Sequence, residues 1–212
     1  NSGENCLITR MIEKGYSKGE IITQIINAVY AGTEALMLGF LYLLEHLIKE
    51  NQLEKYTEAS LPQKLGMFRE FLRYKTPATT VTRKTVENIM IRDKFIPAGT
   101  TIFFNLDHGN VDPSDRDLNL ERYQECPFND KSYGPFSFGN RKCPGAKVAP
   151  LVGAVALDIF LRNFEIEPLN IYESKDDSKS VKFTAFPTSP IMDVRLTQKG
   201  ATDFFDLRSA AN

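Results

Sequence analysis

A long apolar stretch with a clear starting signal occupies the first quarter of the chain. Ser17-Lys18-Gly19-Glu20 has the spacing of a capping box, in which Ser and Glu side chains satisfy backbone groups at a helix start. Apolar positions then recur on most sides of a helix from Ile21 to Leu47, which at ~1.5 Å per residue is on the order of 40 Å long. The pattern predicts a long helix that is buried inside the protein.

Two further helices and a small sheet are predicted downstream. A second helix is expected from about Gln63 to Tyr74, because the residue before Pro77 disfavours helical backbone. Short β-type runs between residues 81 and 105, with a turn at Pro97-Ala98-Gly99, predict a small sheet. A third helix is expected from about Pro144 to Asn163, after a loop-like stretch.

A final hairpin is predicted near the end of the chain, with strands at Val181–Phe186 and Ile191–Leu196. Helices and strands do not alternate regularly, and no Gly-, Ser- or Pro-rich linker divides the sequence. This order is typical of an α+β or mostly α fold rather than a doubly wound sheet. We therefore expect a single domain over residues 1–212.

Composition and charge exclude several classes of protein. The 212 residues carry 26 basic and 27 acidic side chains, and this net charge of −1 gives no electrostatic basis for binding nucleic acid or an anionic membrane. The longest uncharged apolar run, Ala35–Leu44, is shorter than the roughly 18–20 residues that a membrane span requires. The 3 widely spaced cysteines do not form a disulfide framework and indicate a reducing compartment.

These features predict an intracellular, cytoplasmic protein. The first five residues are polar and carry neither an initiator methionine nor a signal-peptide pattern. The sequence is expected to be part of something longer, and a membrane anchor in an N-terminal part outside this chain stays open.

The strongest chemistry lies in the segment Phe136–Gly145, which we call the cysteine loop. Cys143 precedes the predicted third helix, where unpaired backbone N–H groups and the helix dipole favour a thiolate. Gly139 permits a turn with positive φ, and Gly145 removes a side chain where a flat ligand would press against the helix. Arg141, two residues before the sulfur, is placed to meet a carboxylate of that ligand.

Three uses of such a thiolate compete with an inert buried cysteine. A zinc or iron–sulfur site needs about four clustered ligands, and distant cysteines with His46 and His108 lack that spacing. A Cys/His nucleophile stays open, although neither histidine has a context that identifies a base. Axial ligation of haem iron needs one protein thiolate, which fits one well-placed cysteine.

The cysteine loop matches FxxGxRxCxG and so resembles the haem-binding signature of the cytochrome P-450 family. The resemblance implies that Cys143 is the axial thiolate of a haem b iron and therefore its metal ligand. It also implies that Phe136, Gly139 and Gly145 shape the cofactor site and that Arg141 binds a haem propionate. The same role is implied for Arg83, whose surroundings resemble the family's other propionate-binding segment.

A charged cluster outside the loop resembles a second family feature. Glu70 and Arg73 stand three residues apart on the second predicted helix, as in the family's ExxR helix. A segment shortly before the cysteine loop resembles the one that supplies the family's further arginine, which is then Arg122. We expect Glu70, Arg73 and Arg122 to form a structural cluster.

One flank of the long helix is nearly bare of large side chains. Ala31 and Gly32 belong to this flank, together with Ala28, Ala35 and Gly39. Close packing of another helix is at least as common an explanation for such a flank in general. Together with the cysteine loop, a porphyrin face is the better interpretation, so Ala31 and Gly32 are expected to line the haem.

The same helix carries the candidate catalytic residues Thr33, Glu34 and Ala35. Residues 31–35 resemble the family's A/G-G-x-D/E-T motif, with Ala35 in place of the threonine whose hydroxyl helps deliver protons during oxygen activation. Thr33 is not a simple substitute, because two residues along a helix rotate it by about 200°. Glu34 interrupts the apolar stretch and is the proton-relay candidate.

The resemblance runs from about residue 5 to residue 196 and corresponds to the family's C-terminal half. It implies a mostly α (α+β) fold with a long central helix, an ExxR helix, a small sheet, the cysteine loop and a following helix. The missing N-terminal half is expected from the same or a separate polypeptide. A small apolar substrate is implied, and an acidic electron-transfer protein is expected at the basic residues around the loop: Lys131, Arg141, Lys142 and Lys147.

The implied function is a haem-thiolate oxidoreductase that oxidises an apolar small molecule as a monooxygenase. A peroxide-dependent or peroxide-rearranging haem-thiolate enzyme is the alternative among enzymes, favoured by Ala35. A non-catalytic haem-binding or interaction fragment is the alternative of another class. The 212 residues alone are expected to expose a large apolar surface.

Overall fold

The computed structural model describes residues 6–106, 117–123, 133–172 and 191–200. The helices described there are α1 (Leu7–Glu13), α2 (Lys18–Lys49), α3 (Leu53–Glu58), α4 (Leu61–Tyr74) and α5 (Val148–Asn163). The strands are β1 (Thr80–Lys84), β2 (Ile89–Ile91), β3 (Lys94–Ile96), β4 (Thr101–Asn105), β5 (Phe164–Tyr172) and β6 (Ile191–Gln198). Side chains from α2, α4 and α5 supply most of the hydrophobic core.

Helix α2 begins where the capping box predicts. The Ser17 hydroxyl accepts a hydrogen bond from the backbone N–H of Glu20 at 3.3 Å, and the Glu20 carboxylate accepts one from the Ser17 N–H at 2.8 Å. These bonds satisfy N–H groups that have no partner inside the helix. The helix then runs for 32 residues to Lys49, which confirms the long helix predicted from the sequence.

Helix α4 begins slightly earlier than predicted and ends as predicted. Its start at Leu61 follows from a second capping box, in which the Gln63 side chain accepts a hydrogen bond from the Ser60 N–H at 2.8 Å. Its last residue is Tyr74, shortly before Pro77. The sequence does carry a signal for this earlier start, because Ser60 and Gln63 have the spacing of a capping box.

Helix α2 is buried only over its C-terminal half. Leu38, Leu43 and Leu47 are buried in the core, whereas Ile26 is 60% exposed and Val29 63% exposed. The prediction of a helix buried along its length is therefore wrong for the first half, most of which is exposed in the described residues. The expected apolar surface is present on this half of the helix.

By length and composition, α2 is also the one helix in the described ranges that is apolar enough to cross a membrane. The uncharged apolar run within this helix is shorter than a membrane span because Glu34 and Glu45 interrupt the apolar sequence. This finding rests on length and composition alone, and only 17% of the 18-residue apolar stretch is buried.

The small residues on α2 have two different surroundings. A Cβ atom at Gly39 would lie 3.0 Å from Leu72 Cδ2, so this glycine allows α4 to pack closely. A Cβ atom at Gly32 would meet no other atom within 4 Å. On α5, a Cβ atom at Gly153 would lie 2.6 Å from Phe68 Cε1, so the Phe68 ring is held between two glycine-bearing helices. Helix packing thus explains the small residue at Gly39. It does not explain the one at Gly32, where no other described helix packs.

The strands form three antiparallel pairs in the described ranges: β1 with β4, β2 with β3, and β5 with β6. The first two pairs form two separate two-stranded sheets where a single small sheet was predicted between residues 81 and 105. Gly99 adopts a φ of +82° in the predicted turn. Strand β6 is the second strand of the predicted final hairpin, but its partner here is β5, which the sequence analysis missed. The predicted partner, Val181–Phe186, lies outside the described residues.

We expect Gly153→Ala to lower the free energy of unfolding by about 1–3 kcal/mol, because the new methyl group would overlap the buried Phe68 ring. Gly32→Ala is the matched control in a helix with open space around it. That variant should be neutral or more stable by ~0.5–1 kcal/mol. Urea unfolding followed by circular dichroism measures both, and equal effects would contradict the packing described here.

Burial also predicts a pH dependence at His46, which packs against the Phe71 ring with centroids 5.5 Å apart. Burial lowers the pKa of His46 below its ordinary 6.5, and the opposing effect of Glu50 and Glu45 is smaller. The unfolded chain therefore binds this proton more readily, so stability should fall as the pH drops below about 6.5 and level off below the lowered pKa. The wild-type chain should lose more stability than His46→Gln between neutral and mildly acidic pH, measured by urea unfolding.

Candidate functional site

The cysteine loop holds Cys143 through its backbone and leaves its side chain exposed. The Cys143 N–H donates to the carbonyl of Phe136 at 2.9 Å, and the Cys143 carbonyl accepts from the Ala146 N–H at 3.2 Å. Gly139 has a φ of +68°, as the sequence analysis expects, and Ser137 also lies in the left-handed region with a φ of 60°. The sulfur makes no hydrogen bond to any other described residue.

Cys143 does not stand directly at the start of a helix. Helix α5 begins at Val148, and the residues between form turns, so the predicted start at Pro144 is wrong. The reason is local, since the Gly145 carbonyl is the first acceptor of the helix and receives hydrogen bonds from Val148 and Ala149. A Cβ atom at Gly145 would lie 3.6 Å from Cys143 Sγ, so this glycine keeps the surroundings of the sulfur clear.

Arg83 contacts the cysteine loop from strand β1. Its Nη2 donates to Ser137 Oγ at 2.9 Å and its Nη1 donates to the Thr82 carbonyl at 2.8 Å. A cavity of about 260 Å³ opens here, and Arg83, Ser137 and Phe104 are among its lining residues. Arg141 is exposed on the 3-10 turn of the loop and makes no hydrogen bond to another described residue. The structure thus places Arg83 in contact with Ser137 of the loop, although the two residues are 54 positions apart in sequence.

Glu70 is the centre of a buried charged cluster. Its side chain is 0% exposed and accepts two hydrogen bonds from Arg73, Nε at 2.8 Å and Nη2 at 2.7 Å. Arg122 Nε donates to the same carboxylate at 3.1 Å, and the Asn119 N–H adds a fourth bond at 2.9 Å. The hydrogen bond to Glu70 raises the pKa of Arg73, so the Arg73 guanidinium stays charged. The structure therefore brings together the three side chains expected to cluster.

Two backbone groups complete this cluster and were not predicted. The Asp117 carbonyl accepts from Arg73 Nη2 at 3.1 Å and from Arg122 Nη2 at 3.3 Å. The Asn119 N–H is the other group. A sequence motif names side chains, so it carries no signal for backbone partners. These bonds fix residues 117–122 against α4, shortly before the cysteine loop.

The candidate catalytic segment of α2 is not joined to the cysteine loop by any hydrogen bond or ion pair between described residues. Thr33 Oγ1 donates to the Val29 carbonyl of its own helix at 2.7 Å. Glu34 is half-buried and hydrogen-bonds to Tyr30, and this bond raises the pKa of the Tyr30 phenol. Tyr30 was not singled out from the sequence, although its spacing from Glu34 is the signal that identifies such a pair.

A comparison with protein families decides the identity of the fold. The family model described as cytochrome P450 matches residues 3–192. The chain belongs to the cytochrome P450 family. Members of this family are haem-binding, haem-thiolate oxidoreductases, so the resemblance carried by the cysteine loop is confirmed.

Curated P450 relatives extend well beyond this chain. Cytochrome P450 2A2 of Rattus norvegicus is 23% identical over a match that covers 84% of this chain and 42% of the relative. Cytochrome P450 4d2 of Drosophila melanogaster is 35% identical over 49% of this chain and 22% of the relative. The chain thus spans less than half the length of these relatives.

Solved P450 structures share the fold. A P450 from Chondromyces apiculatus matches with a TM-score of 0.68 and 24% identity, over 88% of this chain and 47% of that protein. A P450 from Sulfolobus tokodaii matches with a TM-score of 0.61 and 22% identity, over 80% of this chain and 43% of that protein. The predicted mostly α (α+β) fold, as part of the P450 fold, is confirmed.

We expect Glu70→Gln to destabilise the protein by about 3–5 kcal/mol, because it leaves two guanidinium groups without their buried carboxylate. Glu121→Gln is the matched control, since Glu121 is 66% exposed and its ion pair with Lys55 lies at the surface. The control should change the free energy of unfolding by less than about 1 kcal/mol. Urea unfolding measures both variants. A similar loss of unfolding free energy in the two would contradict a special contribution of the buried cluster to stability.

Proposed function

We propose that this chain is the haem-binding part of a P450 haem-thiolate oxidoreductase, with Cys143 as the axial ligand. The observation that carries the proposal is the exposed Cys143 side chain in a loop that Arg83 contacts from another element. A thiolate donor beside cationic side chains fits an iron porphyrin, whose ring supplies the other four iron ligands and whose propionates are anionic.

Arg83 and several residues of the cysteine loop hold haem b under this proposal. Arg83 and Arg141 bind the propionates, and Ser137 fixes the Arg83 guanidinium beside the loop. Gly145 keeps the space next to the sulfur free of a side chain. Phe136 packs against the hydrophobic core, which ties the loop to the rest of the fold.

The bound haem supplies the oxidising chemistry, and helix α2 supplies the substrate side of the site. Ala31 and Gly32 line the cofactor in this proposal, and the open space at Gly32 supports that role. Glu34 holds and moves protons, because it is the carboxylate of the segment that matches the family motif. The substrate class that fits an apolar helix face is a small apolar molecule.

The proposal treats residues 1–212 as a single haem-binding region that is completed by an N-terminal half. Exposed apolar side chains on α2, including Ile22, Ile26 and Met37, support a covering partner there. Exposed Arg141, Lys142 and Lys147 favour an acidic electron-transfer protein beside the loop. Lys131, the fourth basic residue of that group, lies outside the described residues. Cysteine usage favours an intracellular location.

A peroxide-dependent or peroxide-rearranging P450 is the second candidate function. The observation that favours it is Ala35, which lacks the hydroxyl that the family uses for proton delivery. Turnover with a peroxide alone supports this candidate, whereas turnover that requires a reductant and an electron-transfer protein supports the monooxygenase. Failure of both with haem still bound supports a non-catalytic haem-binding fragment.

We expect Cys143→Ser to abolish the carbon monoxide difference spectrum of a thiolate-ligated haem in the reduced, haem-loaded protein. Serine keeps the size of the side chain but is a poor iron ligand, so haem content should also fall. Cys6→Ser is the matched control, because Cys6 is exposed at the start of α1 and outside the loop. An unchanged thiolate spectrum in Cys143→Ser would refute the proposed ligand.

A further inference from the structure

Ser137 in the cysteine loop has a backbone conformation that suits glycine better than serine. Its φ of 60° lies in the left-handed region, where a residue with a Cβ atom is strained. Gly139, two residues later, has a similar φ of +68° at no such cost. A glycine at position 137 would therefore relieve backbone strain, but it would also remove the serine hydroxyl.

The Ser137 hydroxyl has a partner on another element of the fold. Ser137 Oγ accepts a hydrogen bond from Arg83 Nη2 at 2.9 Å, and the Thr82 carbonyl accepts one from Arg83 Nη1 at 2.8 Å. The backbone of Arg83 is fixed in turn, because it pairs with Ile102 between β1 and β4. The half-buried guanidinium is therefore held at both of its terminal nitrogens in one orientation.

The same stretch of the loop also holds the cysteine. The Phe136 carbonyl accepts a hydrogen bond from the Cys143 N–H at 2.9 Å, and the Ser137 N–H donates to the Gly134 carbonyl at 2.9 Å. Ser137 thus directly follows the residue that anchors the Cys143 backbone. Two adjacent residues connect the guanidinium of Arg83 to the segment that carries the sulfur.

The surroundings of the Arg83 guanidinium fit a carboxylate that is carried by an apolar molecule. Arg83 and Ser137 line the cavity of about 260 Å³, and Val81, Phe104 and Phe138 supply apolar lining. Among the described lining residues, Arg83 carries the one charge. A guanidinium recognises a carboxylate, and the apolar side chains suit the hydrocarbon to which that carboxylate is attached.

We infer that Ser137 is a positioning residue for Arg83, and that its strained backbone is kept because glycine has no hydroxyl to hold the guanidinium. This role rests on the proposed function, in which Arg83 binds a haem propionate. A side chain that is already ordered loses less entropy when an anion binds to it, so the Ser137 hydroxyl strengthens haem binding. Because Ser137 acts through the guanidinium, its effect depends on the negative charge of the propionates.

The first test separates the hydroxyl from the backbone strain. Ser137→Gly and Ser137→Ala both remove the hydroxyl, but Ser137→Gly alone relieves the strain, so it should be the more stable variant in urea unfolding. Both variants should bind haem b roughly two- to tenfold more weakly than the wild type, the cost of ordering one long side chain. Haem affinity is measured by titration of the visible absorption. A loss of affinity that follows unfolding stability rather than the hydroxyl would overturn the role of Ser137.

The second test uses the charge of the cofactor as the readout. The dimethyl ester of haem b lacks the two propionate charges, so Ser137→Gly and Ser137→Ala should bind it as the wild type does. In an Arg83→Gln background, adding Ser137→Gly should leave haem affinity unchanged, because the guanidinium through which Ser137 acts is gone. A further loss in that background would show that Ser137 acts by another route and would overturn the inference.

Gly139→Ala is the matched control for backbone strain in the same loop. A Cβ atom at Gly139 would meet no other atom within 4 Å, so this substitution adds strain at a φ of +68° without a steric clash. It should lower stability and change the affinities for haem and for its dimethyl ester by the same factor. A loss confined to charged haem in Gly139→Ala would mean that strain alone imitates the effect, which would contradict the role of the hydroxyl.

The outcomes separate this inference from the proposed function. A wild-type protein without a thiolate haem spectrum overturns both. A normal thiolate spectrum, combined with wild-type haem affinity in Ser137→Gly and Ser137→Ala, overturns this inference alone. Equal losses for haem and its dimethyl ester in these two variants also overturn it, because the effect would then not pass through the propionates.

Discussion

The buried carboxylate of Glu70 is the constraint on which the candidate site depends. A buried negative charge is costly unless it is paired and fully hydrogen-bonded, and here two guanidinium groups and one backbone N–H compensate it. Because Arg122 and Asn119 come from the segment before the cysteine loop, the compensation fixes that segment to α4. The position of the segment that precedes the loop thus follows from the need to satisfy one carboxylate.

The two halves of helix α2 differ in burial. The C-terminal half is part of the core, and Gly39 lets α4 approach closely. The N-terminal half exposes its apolar side chains and has open space at Gly32. This division agrees with the coverage of the P450 relatives, which are more than twice as long as the matched part of this chain. One helix therefore joins a packed interior to an exposed apolar face.

Features that depend on residues close together in sequence could be predicted. Features that depend on contacts between distant residues could not. The capping box at Ser17, the spacing of Glu70 and Arg73, and the positive φ of Gly139 follow from residues within a few positions of each other. The contact of Arg83 with Ser137 depends on the pairing of β1 with β4, which no local pattern specifies. The late start of α5 was missed because a proline that suits the first turn of a helix also suits the turns preceding it.

The ring of Phe68 has a mechanical consequence. It fills the space beside Gly39 on the central helix and beside Gly153 on α5, and it belongs to the helix that carries Glu70. Close-packed interiors have low compressibility, so a tilt of one helix is not absorbed at this crossing. A displacement of α2 or α5 at this crossing therefore also acts on the helix that carries Glu70.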